Sequence, residues 1–325
     1  MQRVDLRLRL RRLLLPGLLG AMLLPAYAAA SPKELLAAGR VDDAIQTLQH
    51  QIEVSSTDSD SHNLLCRAYF MLEEWDRGIA ACERARNLDP NKALYYLWLG
   101  RIYGEKADRA GFLSAAGLAK KVRTSFERAV ELDPQNWEAR ADLAEFYLEA
   151  PGIVGGGRDK AQAQGTAIAT LNPAMAHWIA ARIADKNKDT ASAEREYRAA
   201  IGANESLGRA WVDLAGLLLR NNRLDDVEQV LRKLESAPVE QREALRDGAS
   251  ILLRAGRDFP LGVRLLRRYL SAPVEEAPAF KAHDMLGELL EKQGDRQAAT
   301  QEYRAAIALA HSYARAQSDL KRIQP

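Results

Sequence analysis

The chain has 325 residues, with 46 lysines and arginines against 44 aspartates and glutamates, and only 6% of its residues are aromatic. The near balance, with no long basic run beyond the N-terminus, argues against general affinity for nucleic acid or anionic membrane. Richness in alanine and leucine with little β-branching favours helix, and by length alone two or three globular domains would fit.

The first element in chain order reads as a secretory signal peptide over residues 1–30. Arg3, Arg7, Arg9, Arg11 and Arg12 form a positive start and residues 13–24 a short apolar stretch. A small-residue cleavage site follows at Ala26-Tyr27-Ala28 or Ala28-Ala29-Ala30. The stretch is short and broken by Pro16 and Gly17, which suits cleavage rather than stable membrane insertion, with an uncleaved anchor as the alternative. Arg11-Arg12 lacks the flanking residues of a twin-arginine signal, so a Sec-type route and a periplasmic or secreted product are expected. No cysteine follows the cleavage site, which argues against a lipid anchor. Removing residues 1–28 takes away five arginines and one aspartate, leaving 41 basic and 43 acidic residues. The basic character disappears with the leader.

From residue 31 onward, small and large residues alternate in slots that recur about every 34 residues. A truncated first unit contributes mainly Val41–Val54, with Ala44 and Leu48 in second-helix slots. The unit at 59–92 carries Leu65, Cys66 and Tyr69, then Gly78, Cys82 and Ala85, and closes at Pro90. Proline ends the helix because it lacks the backbone donor and restricts its predecessor. The next unit opens with Tyr96-x2-Leu99-Gly100-x2-Tyr103 and finishes with Phe126, Ala129 and Pro134. Pro90 and Pro134 are 44 residues apart, so about ten residues beyond the usual repeat are inserted, near 105–116. The third unit has Leu143, Ala144, Tyr147, Ala161 and Pro173, with a glycine-rich insertion at 151–157 that predicts a loop between its helices. Further units are marked by Ala180, Ala181, Ala193, Tyr197 and Ala200, and by Trp211, Leu214, Ala215 and Leu218. A degenerate one uses Leu253, Leu266 and Tyr269, and the last has Leu286, Gly287, Leu290, Ala299, Tyr303 and Ala306. Residues 312–323 read as a polar-faced capping helix.

Apolar, small and aromatic residues at these spacings, closed by proline, resemble the tetratricopeptide repeat (TPR) family over nearly all of residues 31–325. The resemblance implies an all-α, right-handed α-solenoid of helix hairpins: about seven full repeats, a partial first one and a C-terminal cap, forming a rod-like binding scaffold. The inserted blocks, with Phe112-Leu113 and then 149–157, are similar to a subgroup of exported bacterial TPR proteins that carries no agreed activity.

In the hairpins that the resemblance implies, the slots of Cys66 and Cys82 face each other. An oxidising compartment would make a disulfide there reasonable, and two buried, reduced cysteines are the alternative. The resemblance also implies that first helices line a concave groove. That places Asn63, Arg67, Phe70, Leu97, Trp98, Arg101, Glu145, Trp178 and Arg182 on a partner-binding surface. Arginine beside aromatic residues suits peptide anchoring, and arginine can hold a carboxylate through two hydrogen bonds. The same residues could instead pack between repeats or pair with acids such as Glu145. The family's carboxylate clamp uses lysine and asparagine where arginines stand here, so that activity does not carry over.

No catalytic residue, cofactor or metal site emerges. His50, His62, His177, His283 and His311 fall in different repeats without ligand spacing. Gly155–Gly157 lacks the strand and Gly-Lys-Ser/Thr ending of a phosphate loop, although its amides could face an anion. The expectation is therefore an exported, non-catalytic scaffold that binds a segment of another cell-envelope protein, for complex assembly or secretion. The alternatives are a self-associating structural protein, with Phe112-Leu113 as an exposed contact, or an enzyme or anion binder using 155–157.

Overall fold

The computed structural model describes residues 30–323, apart from Gln241, residues 275–277 and the side chains of Phe112 and Leu113. Residues 1–29 of the expected leader, and the Phe112-Leu113 contact, thus lie outside the described residues.

Eight helix hairpins follow one another and a single helix ends the series. The first pair, α1 (Pro32–Ala37) and α2 (Val41–Val54), is short. It is followed by α3 (Ser59–Met71) with α4 (Trp75–Leu88), α5 (Ala93–Asp108) with α6 (Phe112–Leu132), and α7 (Trp137–Glu149) with α8 (Arg158–Ile168). Next come α9 (Pro173–Lys186) with α10 (Thr190–Ala203) and α11 (Gly208–Arg220) with α12 (Leu224–Ser236). The last pairs are α13 (Glu243–Ala255) with α14 (Phe259–Leu270) and α15 (Ala279–Lys292) with α16 (Arg296–Leu309), and α17 (Ala314–Ile323) closes the series. This is an all-helical α-solenoid, with no strand among the described residues.

The hairpins pack because a missing side chain on one helix receives a large one from another. A Cβ on Gly100 would sit within 2.3–2.8 Å of the Phe126 ring, and one on Gly287 within 2.6–3.0 Å of the Tyr303 ring. One apolar core runs continuously from Leu48 in α2 to Ile323 in α17, as stacked units that cannot bury their own faces require. Asp58, Asn136, Asn172, Asp189 and Asp295 accept backbone N–H groups at the starts of α3, α7, α9, α10 and α16.

The two inserted stretches take different forms. Residues 105–116 continue as helix on both sides of a turn, so α5 reaches 16 residues and α6 reaches 21. Residues 151–157 form a loop with one 3-10 turn at Gly152–Val154.

The expected rod is not what the hairpins build. The first and last hairpins touch, so the path closes on itself. A second apolar cluster joins Leu35, Leu36, Val41 and Met71 near the start to Phe280, Ala306, Ala310 and Ala316 near the end. The Val274 N–H donates to the Ala37 carbonyl at 2.7 Å, Lys281 pairs with Glu73, and His311 meets Asp42 at 2.5 Å. Gly39 lies so close to Ala279 that a Cβ there would be 2.4 Å from the alanine Cβ. The small rotation that each hairpin adds to the next has carried the chain round until its ends meet.

Candidate partner-binding cavity

The inner face holds a concave cavity of about 1040 Å³, lined by the first helices of six consecutive hairpins, α3 to α13 in odd numbers, and by part of α6. Six of the nine groove residues expected from the sequence line it: Phe70, Trp98, Arg101, Glu145, Trp178 and Arg182. Asn63, Arg67 and Leu97 do not. Leu97 belongs to the main core, Asn63 is buried, and Arg67 lies beneath the surface with its guanidinium 5.2 Å from the Trp98 ring centre.

Two tryptophans organise the cavity wall. The Trp98 ring carries Arg67 and Arg101, at 5.2 and 5.1 Å, and meets the edge of Phe70 at 5.5 Å. Trp178 carries Arg182 at 5.5 Å and Arg209 at 5.0 Å, and its indole Nε1–H donates to Asp213 at 2.7 Å. Cations on aromatic faces are worth more when desolvated, as here. At 4% and 2% exposure, both indoles are buried, and both belong to the main apolar core.

Those arginines are held by acids of the same wall. Arg101 Nε donates to Asp142 at 2.7 Å, with Glu138 at 3.5 Å. Arg182 lies 3.1 Å from Glu145, 3.2 Å from Glu149 and 3.5 Å from Asp213. Burial disfavours the Arg182 charge, but Glu145 and Asp213 outweigh it and raise its pKa. Burial pushes the Glu145 carboxyl up against the pull of Arg182 and Arg209. A free carboxylate would have to displace these internal pairs, so the arginine–carboxylate anchoring expected from the sequence loses its donors.

Of the acids that hold these arginines, Glu145 was named from the sequence, whereas Asp142, Glu149 and Asp213 were missed although a signal was present. Arg101 and Asp142 are 41 residues apart across the longer unit, Trp178 and Asp213 are 35 apart, and Arg182 and Glu149 are 33 apart. Residues one repeat apart are neighbours on the inner face, so pairing charges at that interval would have found them.

The glycine-rich loop does not form an anion cradle. The amides of Gly155, Gly156 and Gly157 donate to the carbonyls of Gly152, Pro151 and Tyr147, at 3.0, 3.2 and 2.8 Å. Its own carbonyls face cations instead, Val154 accepting from Arg123 and Gly155 from Lys160. The anion reading is thereby corrected: the donors are consumed inside the turn. His177 and His283 each meet a glutamate 19 residues on, Glu196 at 2.9 Å and Glu302 at 2.6 Å, which ties the two helices of a hairpin together. Among the described residues no group of three or more histidines, cysteines, aspartates and glutamates is placed to hold a metal ion, and no helix is long and apolar enough to cross a membrane. A disulfide joins Cys66 on α3 to Cys82 on α4, with Cα atoms 5.2 Å apart.

Matches to the tetratricopeptide repeat family cover residues 35–102, 180–240 and 280–313. The chain is a tetratricopeptide repeat protein. Among solved structures, this TPR chain is similar to yeast Tom70, at 15% identity over 87% of this chain and 58% of that one, with a TM-score of 0.52. It is also similar to a thermophilic TPR protein of Thermus thermophilus, at 18% identity over 58% of this chain and 95% of that one, with a TM-score of 0.49. A tetratricopeptide repeat protein of Parabacteroides merdae matches at 11% identity over 90% and 95% of the two chains, with a TM-score of 0.47. At such identities these likenesses concern the fold alone. No curated protein matches the sequence. The TPR fold suggests a scaffold for protein–protein interaction.

Proposed function

We propose that this TPR protein is exported and holds a segment of a cell-envelope protein in its concave cavity, without catalysis, during complex assembly or secretion. The observation that carries the reading is the cavity itself. It is preformed by six first helices and walled by Phe70, Phe126 and Phe146 among charged groups, so binding costs little ordering. Export is supported by the basic, apolar and small-residue order of residues 1–30 and by the Cys66–Cys82 disulfide, which persists in an oxidising compartment.

Because Trp98 and Trp178 are so deeply covered, their removal would test folding rather than binding. A photo-crosslinking amino acid in place of the partly exposed Phe70 reports on the cavity without emptying the core. The same group at Arg195, 65% exposed on α10, serves as the outer control. Capture in cells of one envelope protein from position 70 and not from 195 is the expected result. Equal capture from both positions would reject the cavity, and capture of the protein's own copies alone would establish self-association instead.

A further inference from the structure

We infer that the segment taken up by the cavity is cationic, with lysines or arginines spaced by apolar residues. This rests on the reading of the cavity as a partner site and names the chemistry of the partner. Among the described residues, the wall carries ten carboxylates and four guanidinium groups. Three further cations reach wall acids from beside the cavity: Arg109 to Glu105, Lys186 to Glu149 and Arg246 to Asp247. With Arg67, which lies over the Trp98 ring, eight cations thus face ten carboxylates, and the excess is negative.

The four wall guanidiniums are also committed. Arg101 and Arg182 sit among acids, Arg209 lies over Trp178, and Arg242 donates through Nη2 to the backbone carbonyls of Arg268 and Tyr269. None offers an anion a bidentate site at no cost. A cation meets the opposite situation. Field lines from Asp108, Glu240 and their neighbours are focused by a concave, low-dielectric wall, which concentrates positive ligands and repels negative ones. Glu145 deepens the effect, because a cation beside its buried carboxylate would stabilise the charge that burial disfavours. Between the acids, Phe70, Phe126, Phe146 and Val212 supply apolar contact for intervening side chains.

Fluorescein-labelled dodecapeptides of alternating lysine and leucine, glutamate and leucine, or serine and leucine test this by fluorescence anisotropy with the full chain. The lysine peptide is expected to bind about tenfold more tightly than the serine peptide, with the glutamate peptide weakest and the preference shrinking as salt rises. A variant carrying Asp108→Asn and Glu240→Gln should lose about tenfold for the lysine peptide alone. An exterior variant of equal charge change, Glu53→Gln and Asp225→Asn, should stay within about twofold. Serine- or glutamate-peptide binding as tight as the lysine peptide's would overturn the cationic inference. So would equal losses in the two variants, which mark general charge attraction. Failure of all three peptides to bind also overturns it. The photo-crosslink at position 70 judges the cavity independently, so capture there with no charge preference leaves the cavity standing and the inference rejected.

Discussion

Gly100 and Gly104 lie on the same helix and are expected to respond oppositely to alanine. A methyl group at Gly100 meets the Phe126 ring, and backbone and ring must both shift; Gly100→Ala should destabilise by about 1–3 kcal/mol despite better helix propensity. Gly104 has open space around its Cβ position, so Gly104→Ala should stabilise by about 0.5–1 kcal/mol. Urea unfolding midpoints decide both, and equal responses would contradict the packing described. Asp284, on α15, gives a second test at this scale. Burial pushes its carboxyl up to about 6 against the pull of Arg315, and one of its oxygens is buried without a hydrogen-bond partner. Between its ordinary value and about 6 the folded chain keeps a proton that the unfolded chain has shed, so this group lowers stability as pH rises through that window. Asp284→Asn should therefore gain about 1–2 kcal/mol relative to the parent between about pH 4 and pH 7, after allowance for screening at exposed Arg315. A difference that does not change with pH would count against it.

At the scale of elements, the hairpin α3–α4 is cross-linked and its neighbours are not. The Cys66–Cys82 bridge spans 16 positions, and the chain-entropy model assigns about 3 kcal/mol to closing such a loop. Reduction, or the Cys66→Ala and Cys82→Ala pair, should lower the stability of this region by about that amount. Hydrogen exchange would show faster opening of α3 and α4 while α13 to α16 stay protected, because stacked repeats contact chiefly their neighbours. Uniform loss of protection would mean instead that the solenoid unfolds as one unit. The α5–α6 pair was legible as an insertion from the distance between Pro90 and Pro134, but its form was not. Residues 105–116 contain good helix formers, and they extend two helices where the glycines of 151–157 break one.

At the scale of the molecule, the seam between first and last hairpins closes the path of the chain on itself. Gly39 combines a left-handed backbone, φ 72°, with the contact to Ala279, so Gly39→Ala acts on both the turn and the seam. Lys281→Glu places like charges where Lys281 and Glu73 now pair. Gly39→Ala should destabilise by about 1–3 kcal/mol and Lys281→Glu, at a partly exposed pair, by up to about 1 kcal/mol; together they should raise the radius of gyration in small-angle scattering with helical circular dichroism unchanged. An unchanged radius in the double variant would show that the seam does not hold the closure.

The sequence by itself determined the hairpins, their order and the leader-like start, because alternation of small and large residues is local and repeats with the helix. Through the family resemblance that the repeat carries, it also singled out Trp98, Trp178, Arg101, Arg182 and Glu145 as inner-face residues. Only the tertiary structure decided that these arginines are already held by Asp142, Glu145, Glu149 and Asp213, and that Asn63 and Leu97 are buried. It alone turned the glycine amides of the 151–157 loop inward and brought α1 and α2 against α15 and α16. The reason is physical. A repeat specifies contacts with its neighbours, whereas closure and the net charge of a concave wall are sums over many repeats, in which small rotations and single charges accumulate without a local mark.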